Sequence, residues 1–258
     1  MRSAILGIVT MVAALLVLPG ATTAQNVAEV YQLTPKAGQG PALESALKGH
    51  AQWREEHDDP WSWNVYQVAL GEGYGTYVVR SAGHTWSDFD EYLEEFGSTA
   101  VPEFQAHVAP LVSESRTSLV RMDTALSRIP EDLSEYSIFS VTTYDLETGQ
   151  GEDFYQVVEQ VHEAAVEHDY PDHYFVYHIE YGAGASDARI VVPHTSWSDL
   201  EPPEETLGDV MTQAYGEEKA AEIFDDFTDT FRSAENMVVV ARPDLSVNPP
   251  YGDTGNDR

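Results

Sequence analysis

Residues 56–73, EHDDPWSWNVYQVALGEG, return 111 residues later as residues 167–184, EHDYPDHYFVYHIEYGAG. Eight of the eighteen positions are identical. A chain that carries such a stretch twice folds one unit twice, so the nature of that unit decides the architecture.

The repeat extends well beyond the quoted stretch. Each copy opens on a strand-like run, at 27–33 and 136–144. A helical pattern follows. In the second copy Phe154, Val157, Val158, Val161 and Ala165 recur at helical spacing, and in the first Leu43, Ala46, Leu47 and His50 fall at the corresponding places. His57-Asp58-x-Pro60 and His168-Asp169-x-Pro171 then end the helix, because proline cannot continue it and restricts the residue before it. A strand rich in Val, Tyr and Trp comes next. Gly71-Glu72-Gly73 and Gly182-Ala183-Gly184 supply the turn into a further strand, at 74–81 and 188–192. Ser87 and Ser198 are read as N-caps of a helical region that breaks near Pro102 in one copy and near Gly216 in the other. Each copy closes on a strand, at 118–123 and 237–242.

The order is therefore βαββαβ, the ferredoxin-like arrangement, twice. Such a unit has helices on one face of its sheet and leaves the other bare, and two of them can cover each other's bare faces. The expected class is α+β, with repeat 1 over 25–130 and repeat 2 over 131–246.

The two ends read differently. Residues 1–24 have the form of an export signal. Arg2 is followed by an apolar run over 4–18, then by Pro19-Gly20 and the small residues Ala21-Thr22-Thr23-Ala24. The expected location is secreted or periplasmic. Residues 247–258, rich in Pro, Gly, Asn and Asp, read as a disordered tail. The chain has no cysteine, which excludes a disulfide framework and a lipoprotein anchor.

Forty-four acidic residues face thirteen Lys and Arg, for a net charge of −31. Phosphate repulsion excludes nucleic acid as a partner, and anionic membrane surfaces are disfavoured likewise. The acids are spread along the chain and form no block, so the surface is read as a halophilic one, adapted to salt, with cation binding as the alternative. The expected result is a melting temperature that rises between low salt and molar KCl. A flat or falling value would count against salt adaptation.

The sequence contains no phosphate-binding glycine loop, no H-E-x-x-H and no G-x-S-x-G. Its nine histidines are the main candidates for chemistry. His57-Asp58 and His168-Asp169 occur in both copies. As a metal or proton-transfer pair they would be functional, but a turn built twice points to helix ending, with His complementing the helix dipole. The asymmetric positions say more. His50 stands where repeat 2 has Val161, and His107 where it has Phe227. Both are expected on the sheet-facing side of their helices. There they are either core histidines satisfied by hydrogen bonds or the lining of a pocket with Trp53 or Trp63 nearby. In the strand carrying Tyr174, Val176, His178 and Glu180, alternation puts these four side chains on one face. Arg80 and Arg189 on adjoining strands are expected to meet them.

This element order resembles the dimeric α/β-barrel superfamily, in which two ferredoxin-like units pack sheet to sheet. Antibiotic-biosynthesis-type monooxygenases, EthD-like proteins, NIPSNAP-like proteins and the chlorite dismutase and dye-decolorizing peroxidase group share it. The resemblance spans nearly the whole chain after residue 24 and implies an intrachain barrel. In the haem-using members a helical histidine can ligate iron between sheet and helices, which makes haem the cofactor to test, with His107 and His50 as candidate metal ligands. Three functions are consistent with the sequence. The first is an exported protein that binds a small ligand. The second is a haem- or oxygen-dependent oxidoreductase or monooxygenase using a pocket in repeat 1. The third is a structural envelope protein.

Overall fold

The computed structural model describes residues 26–182 and 187–247. The expected export signal, the tail beyond Val247, and Ala183-Gly184 of the second turn lie outside the described residues.

Repeat 1 runs β1 (Val27–Pro35), α1 (Gly40–Glu56), β2 (Asn64–Gly71), β3 (Tyr77–His84), α2 (Trp86–Tyr92), α3 (Ser98–His107) and β4 (Val112–Arg128). Repeat 2 runs β5 (Ile138–Leu146), α4 (Gly151–Glu167), β6 (Tyr174–Gly182), β7 (Ala188–His194), α5 (Leu207–Tyr215), α6 (Glu217–Asp229) and β8 (Phe231–Ala241). The eight strands form a closed barrel in the order β1-β3-β2-β8-β5-β7-β6-β4. Each sheet covers the other's bare face. The edges also pair, β2 with β8 and β4 with β6, which leaves no open sheet edge in the barrel.

Alternation along each strand separates two compartments. Val30 and Gln32 of β1 face the barrel interior, while Glu29, Tyr31 and Leu33 face the helices of repeat 1. Among the described residues, no helix is long and apolar enough to cross a membrane.

The helix-ending signature acts as local structure. His57 and His168 are the C-cap residues of α1 and α4. Asp58 and Asp169 follow at φ 54° and 51°, the two non-glycine residues in the left-handed region among the described residues. Aspartate tolerates that conformation because its short polar side chain hydrogen-bonds locally.

Several boundaries move. The helix of repeat 1 does not break at Pro102, which lies inside α3. The irregularity is a π-helical turn, Leu93–Gly97, joining α2 to α3. Gly216, at φ 81°, does separate α5 from α6. Ser87 and Ser198 are not N-caps. Thr85 and Ser196 cap instead, each in a reciprocal pairing with Asp88 or Asp199, because the acid three residues on can reach back to the cap's N–H. β4 and β8 are longer than expected because residues 112–117 of β4 continue along β1 and residues 231–236 of β8 along β5, and β4 also reaches β6 as far as Arg128. Val247, assigned to the disordered tail, is buried and bridges to Trp63 through paired backbone hydrogen bonds of 2.9 and 2.8 Å.

Candidate functional site

The helical layer packs differently in the two repeats. In repeat 2 it is filled with hydrocarbon and rings: Val157, Ala164, Ala165, Met211 and Ile223 form a buried cluster, with Phe227 against it. In repeat 1 the corresponding layer encloses a cavity of about 370 Å³. β1, β2 and β3 supply one wall, α1 and α3 the other, and the π turn closes one side through Leu93 and Gly97. The C-terminal segment contributes Leu245 and Val247, so the end of repeat 2 completes the site of repeat 1.

A chain of polar contacts runs along the helical wall. His107 and His50 both contact Glu103, His107 through Nδ1 at 3.0 Å and His50 through Nδ1. Arg54 Nε donates to His50 Nε2 at 2.9 Å. Arg54 also pairs with Asp59, donates to Tyr92 Oη at 2.7 Å, and lies 4.4 Å over the Trp63 ring. Asp59, whose side chain is 0% exposed, further accepts from Trp61 N at 2.9 Å and from Trp63 Nε1 and Tyr92 Oη, each at 3.1 Å. His50 accepts at Nε2 and so donates at Nδ1, the neutral tautomer. Burial and the neighbouring Arg54 both hold its pKa below the ordinary imidazole value.

The opposite wall carries a second pair. Tyr31 Oη donates to Glu29 Oε1 at 2.6 Å. Burial raises the Glu29 carboxyl above the ordinary glutamate value, against the lowering effect of that hydrogen bond and of Arg54. Burial and the adjoining Glu29 push the Tyr31 phenol up as well. On the helical wall, burial pushes Tyr92 to about 12. The cavity is thus lined mainly by apolar and aromatic side chains, with the His50–Arg54 chain on the helical wall and Glu29, whose ionisation burial disfavours, on the sheet wall.

Of the residues singled out from the sequence, His50 and Trp63 line this cavity. Trp53 is half-buried and stacks on His57 at 4.2 Å instead. His107 does not face the sheet: its side chain is 66% exposed. The inward stripe of α3 runs through Ala100, Phe104 and Val108 at steps of four, and His107 falls at its margin. His178 and Glu180 do share a strand face with Tyr174 and Val176, but that face meets the helices of repeat 2. His178 pairs with Asp123 at 2.9 Å and lies 4.0 Å from the Tyr155 ring, while Glu180 pairs with Arg121 at 2.7 Å. Arg80 and Arg189 do not meet them. The parity of their own strands sends them into the barrel interior.

Glu29, Tyr31, Arg54, Asp59, Tyr92 and Glu103 escaped the sequence reading. The 111-residue offset carries a signal for two of them. It pairs Arg54 with Ala165 and Asp59 with Tyr170, an ion pair where repeat 2 has core residues.

The barrel and its two helical layers superimpose on a proposed monooxygenase from Lactobacillus acidophilus NCFM over 86% of this chain and 96% of that one, with a TM-score of 0.53 and 7% identity. The chain has the dimeric α/β-barrel fold. A second proposed monooxygenase, from Fusobacterium nucleatum subsp. nucleatum, matches over 84% of this chain and 93% of that one, with a TM-score of 0.51 and 10% identity. At such identities the likeness is one of fold. No family model matches the sequence, and no curated protein matches it.

Haem, implied by the resemblance, can be tested against the donor set of this dimeric α/β barrel. The histidine in the cavity, His50, has both ring nitrogens engaged, one by Glu103 and one by Arg54. His107 points away to solvent. Among the described residues no group of three or more His, Asp or Glu could hold a metal ion. An axial ligand at His50 would require breaking the Arg54 contact within a buried ion-pair network, so these residues do not fit a haem iron.

Proposed function

We propose that the protein binds a small planar molecule with an acidic hydroxyl in the cavity of repeat 1, and that Glu29 accepts the hydroxyl proton. The observation that carries this reading is geometric: a half-buried carboxyl, Glu29, stands on the wall of a mainly apolar and aromatic cavity, with Tyr31 Oη 2.6 Å from one of its oxygens. A planar ligand lies between Leu33, Val65 and Val79 on the sheet and Leu47 and Phe104 on the helices opposite. Glu29 is the acceptor because its own partner, Tyr31, occupies only one carboxylate oxygen. Export to a saline setting, as the N-terminal pattern and the acidic composition suggest, belongs to the same proposal.

A second reading extends the first. A half-buried carboxylate on the wall of a mainly apolar cavity is suited to proton abstraction. An electron-rich anion formed there would be open to direct reaction with dioxygen, which is oxygenase chemistry without a cofactor.

Calorimetric titration with 2-naphthol and with naphthalene tests the proposal. The expected result is that 2-naphthol binds about tenfold or more tightly, the value of a hydrogen bond to a charged group. Glu29 is the stronger, charge-assisted acceptor when ionised, and only then can it take up the hydroxyl proton. Binding of 2-naphthol should therefore weaken as pH falls through the raised Glu29 pKa, while naphthalene binding stays level. E29Q should lose both the preference and the pH dependence. Equal affinity for the two compounds, or an E29Q protein that binds 2-naphthol like the wild type, would overturn the reading.

A further inference from the structure

The barrel interior is separate from the cavity above, since the sheet lies between them. It holds a second cavity of about 350 Å³ with walls that include Val30, Tyr66, Phe139, Phe175 and Val239. Polar side chains interrupt these apolar walls, among them Gln32, Asn64, Arg80 and Arg189. Arg80 and Asn64 are cross-strand neighbours on β3 and β2, and Arg189 is the cross-strand neighbour of Tyr177 on β7 and β6. Arg80 Nη2 donates to Tyr177 Oη at 3.3 Å, which links the two sheets across the interior. Arg189 Nε donates to Thr143 Oγ1 at 3.2 Å. Two of the thirteen Lys and Arg of a chain with charge −31 are therefore placed inside its barrel.

Asn64 is 5% exposed, and its Oδ1 is buried without a hydrogen-bond partner. Buried polar atoms are nearly always satisfied, so an orphan acceptor on a cavity wall marks a place where an occupant belongs. Beyond Gln32, Arg189 and Met237 lies a further cavity of about 350 Å³, whose lining includes Glu72, Glu114, Asp187 and Glu235. That end is acidic. The other end, with Ala82, Gly83, Leu133 and the exposed Ile129, is apolar.

We propose that the barrel interior is a binding site for an amphipathic carboxylate, with its head group held by Arg80 and Arg189 and its apolar body directed toward the Ile129 end. Guanidinium groups recognise carboxylates through paired N–H donors, and the apolar walls exclude the water that would weaken such a contact. The apolar lining at the Ile129 end takes the hydrocarbon body and so sets the orientation, while Arg189, shared by the two cavities, stands between the head group and the acidic end. The carboxylate itself offers no donor, so a water that enters with the head group donates to Asn64 Oδ1. Burial holds Arg189 below the ordinary arginine pKa, partly offset by Tyr177 and Asp187, and a bound carboxylate would relieve that cost.

Titration calorimetry of the full chain with decanoate and with 1-decanol, in high salt, tests this. Decanoate is expected to bind at one site, at least tenfold more tightly than 1-decanol. R80M and R189M are each expected to weaken decanoate binding tenfold or more while leaving 1-decanol unchanged. R189K, which keeps the charge but loses the planar fork, should fall between, and serves if R189M does not fold. Absence of decanoate binding, equal affinity for decanoate and 1-decanol, or wild-type affinity in the folded arginine variants would overturn the proposal.

Discussion

Arg54→Met should destabilise the protein by about 3–5 kcal/mol, the usual consequence of removing one partner of a buried ion pair. The side chains of Arg54 and Asp59 are 11% and 0% exposed. Without the guanidinium, the Asp59 carboxylate loses its Arg54 partner and keeps neutral donors from Trp61, Trp63 and Tyr92. His50 Nε2 loses its donor at the same time. Much of the loss should therefore come from the stranded carboxylate. The double variant Arg54→Met/Asp59→Asn should be more stable than Arg54→Met alone, a coupling that a double-mutant cycle isolates. Urea unfolding of the wild type, both single variants and the double variant reads the result. A loss below about 1 kcal/mol in Arg54→Met would show that the network is not structural.

Gly182→Ala should cost about 2–6 kcal/mol, combining a strained backbone with a steric clash. Gly182 has φ 100°, and a Cβ built there would lie 2.2 Å from Thr117 O and 2.8 Å from Ser118 Cα. These atoms belong to β4, across one of the two seams where the repeats join. Gly71 has the same relation to Asn236 and Met237 at the other seam. Because the barrel is closed, neither strand can move away without disturbing its other neighbour. Gly149→Ala is the control: φ is 90° there, but nothing lies within 4 Å of the new Cβ. It should cost only the backbone strain, about 1 kcal/mol. Equal losses at Gly149 and Gly182 in thermal melts would show that close approach at the seam is unimportant.

The two glycines show how far the sequence could be read. Gly71 and Gly182 are visible as parts of a turn after a strand. Nothing local shows that each also lets a strand of the other repeat come close, because that contact joins segments 64 to 166 residues apart. His50 and His107 show the same limit. Helical spacing nominated both for the inward face. His50 sits mid-helix in α1 and is buried there. His107 ends α3, beyond a π turn that the sequence did not reveal, and lies at the margin of the buried stripe. Arg80 and Arg189 were picked out correctly as strand residues, but the compartment they enter depends on the parity of each strand against its neighbours.

Local pattern was enough for the duplication, for the βαββαβ order and for the sheet-to-sheet barrel. Helical and strand periodicity, proline and glycine at the turns, and the need to bury two bare faces admit few other arrangements. The candidate site was decided by the tertiary structure. A cavity is a difference between the volume its walls enclose and the volume their side chains fill, and the walls here come from β1, α1, α3 and the chain's C-terminal segment. Periodicity reports which way a side chain points. It carries no information about how much space remains in front of it, or how far the surrounding walls bury a carboxyl such as Glu29.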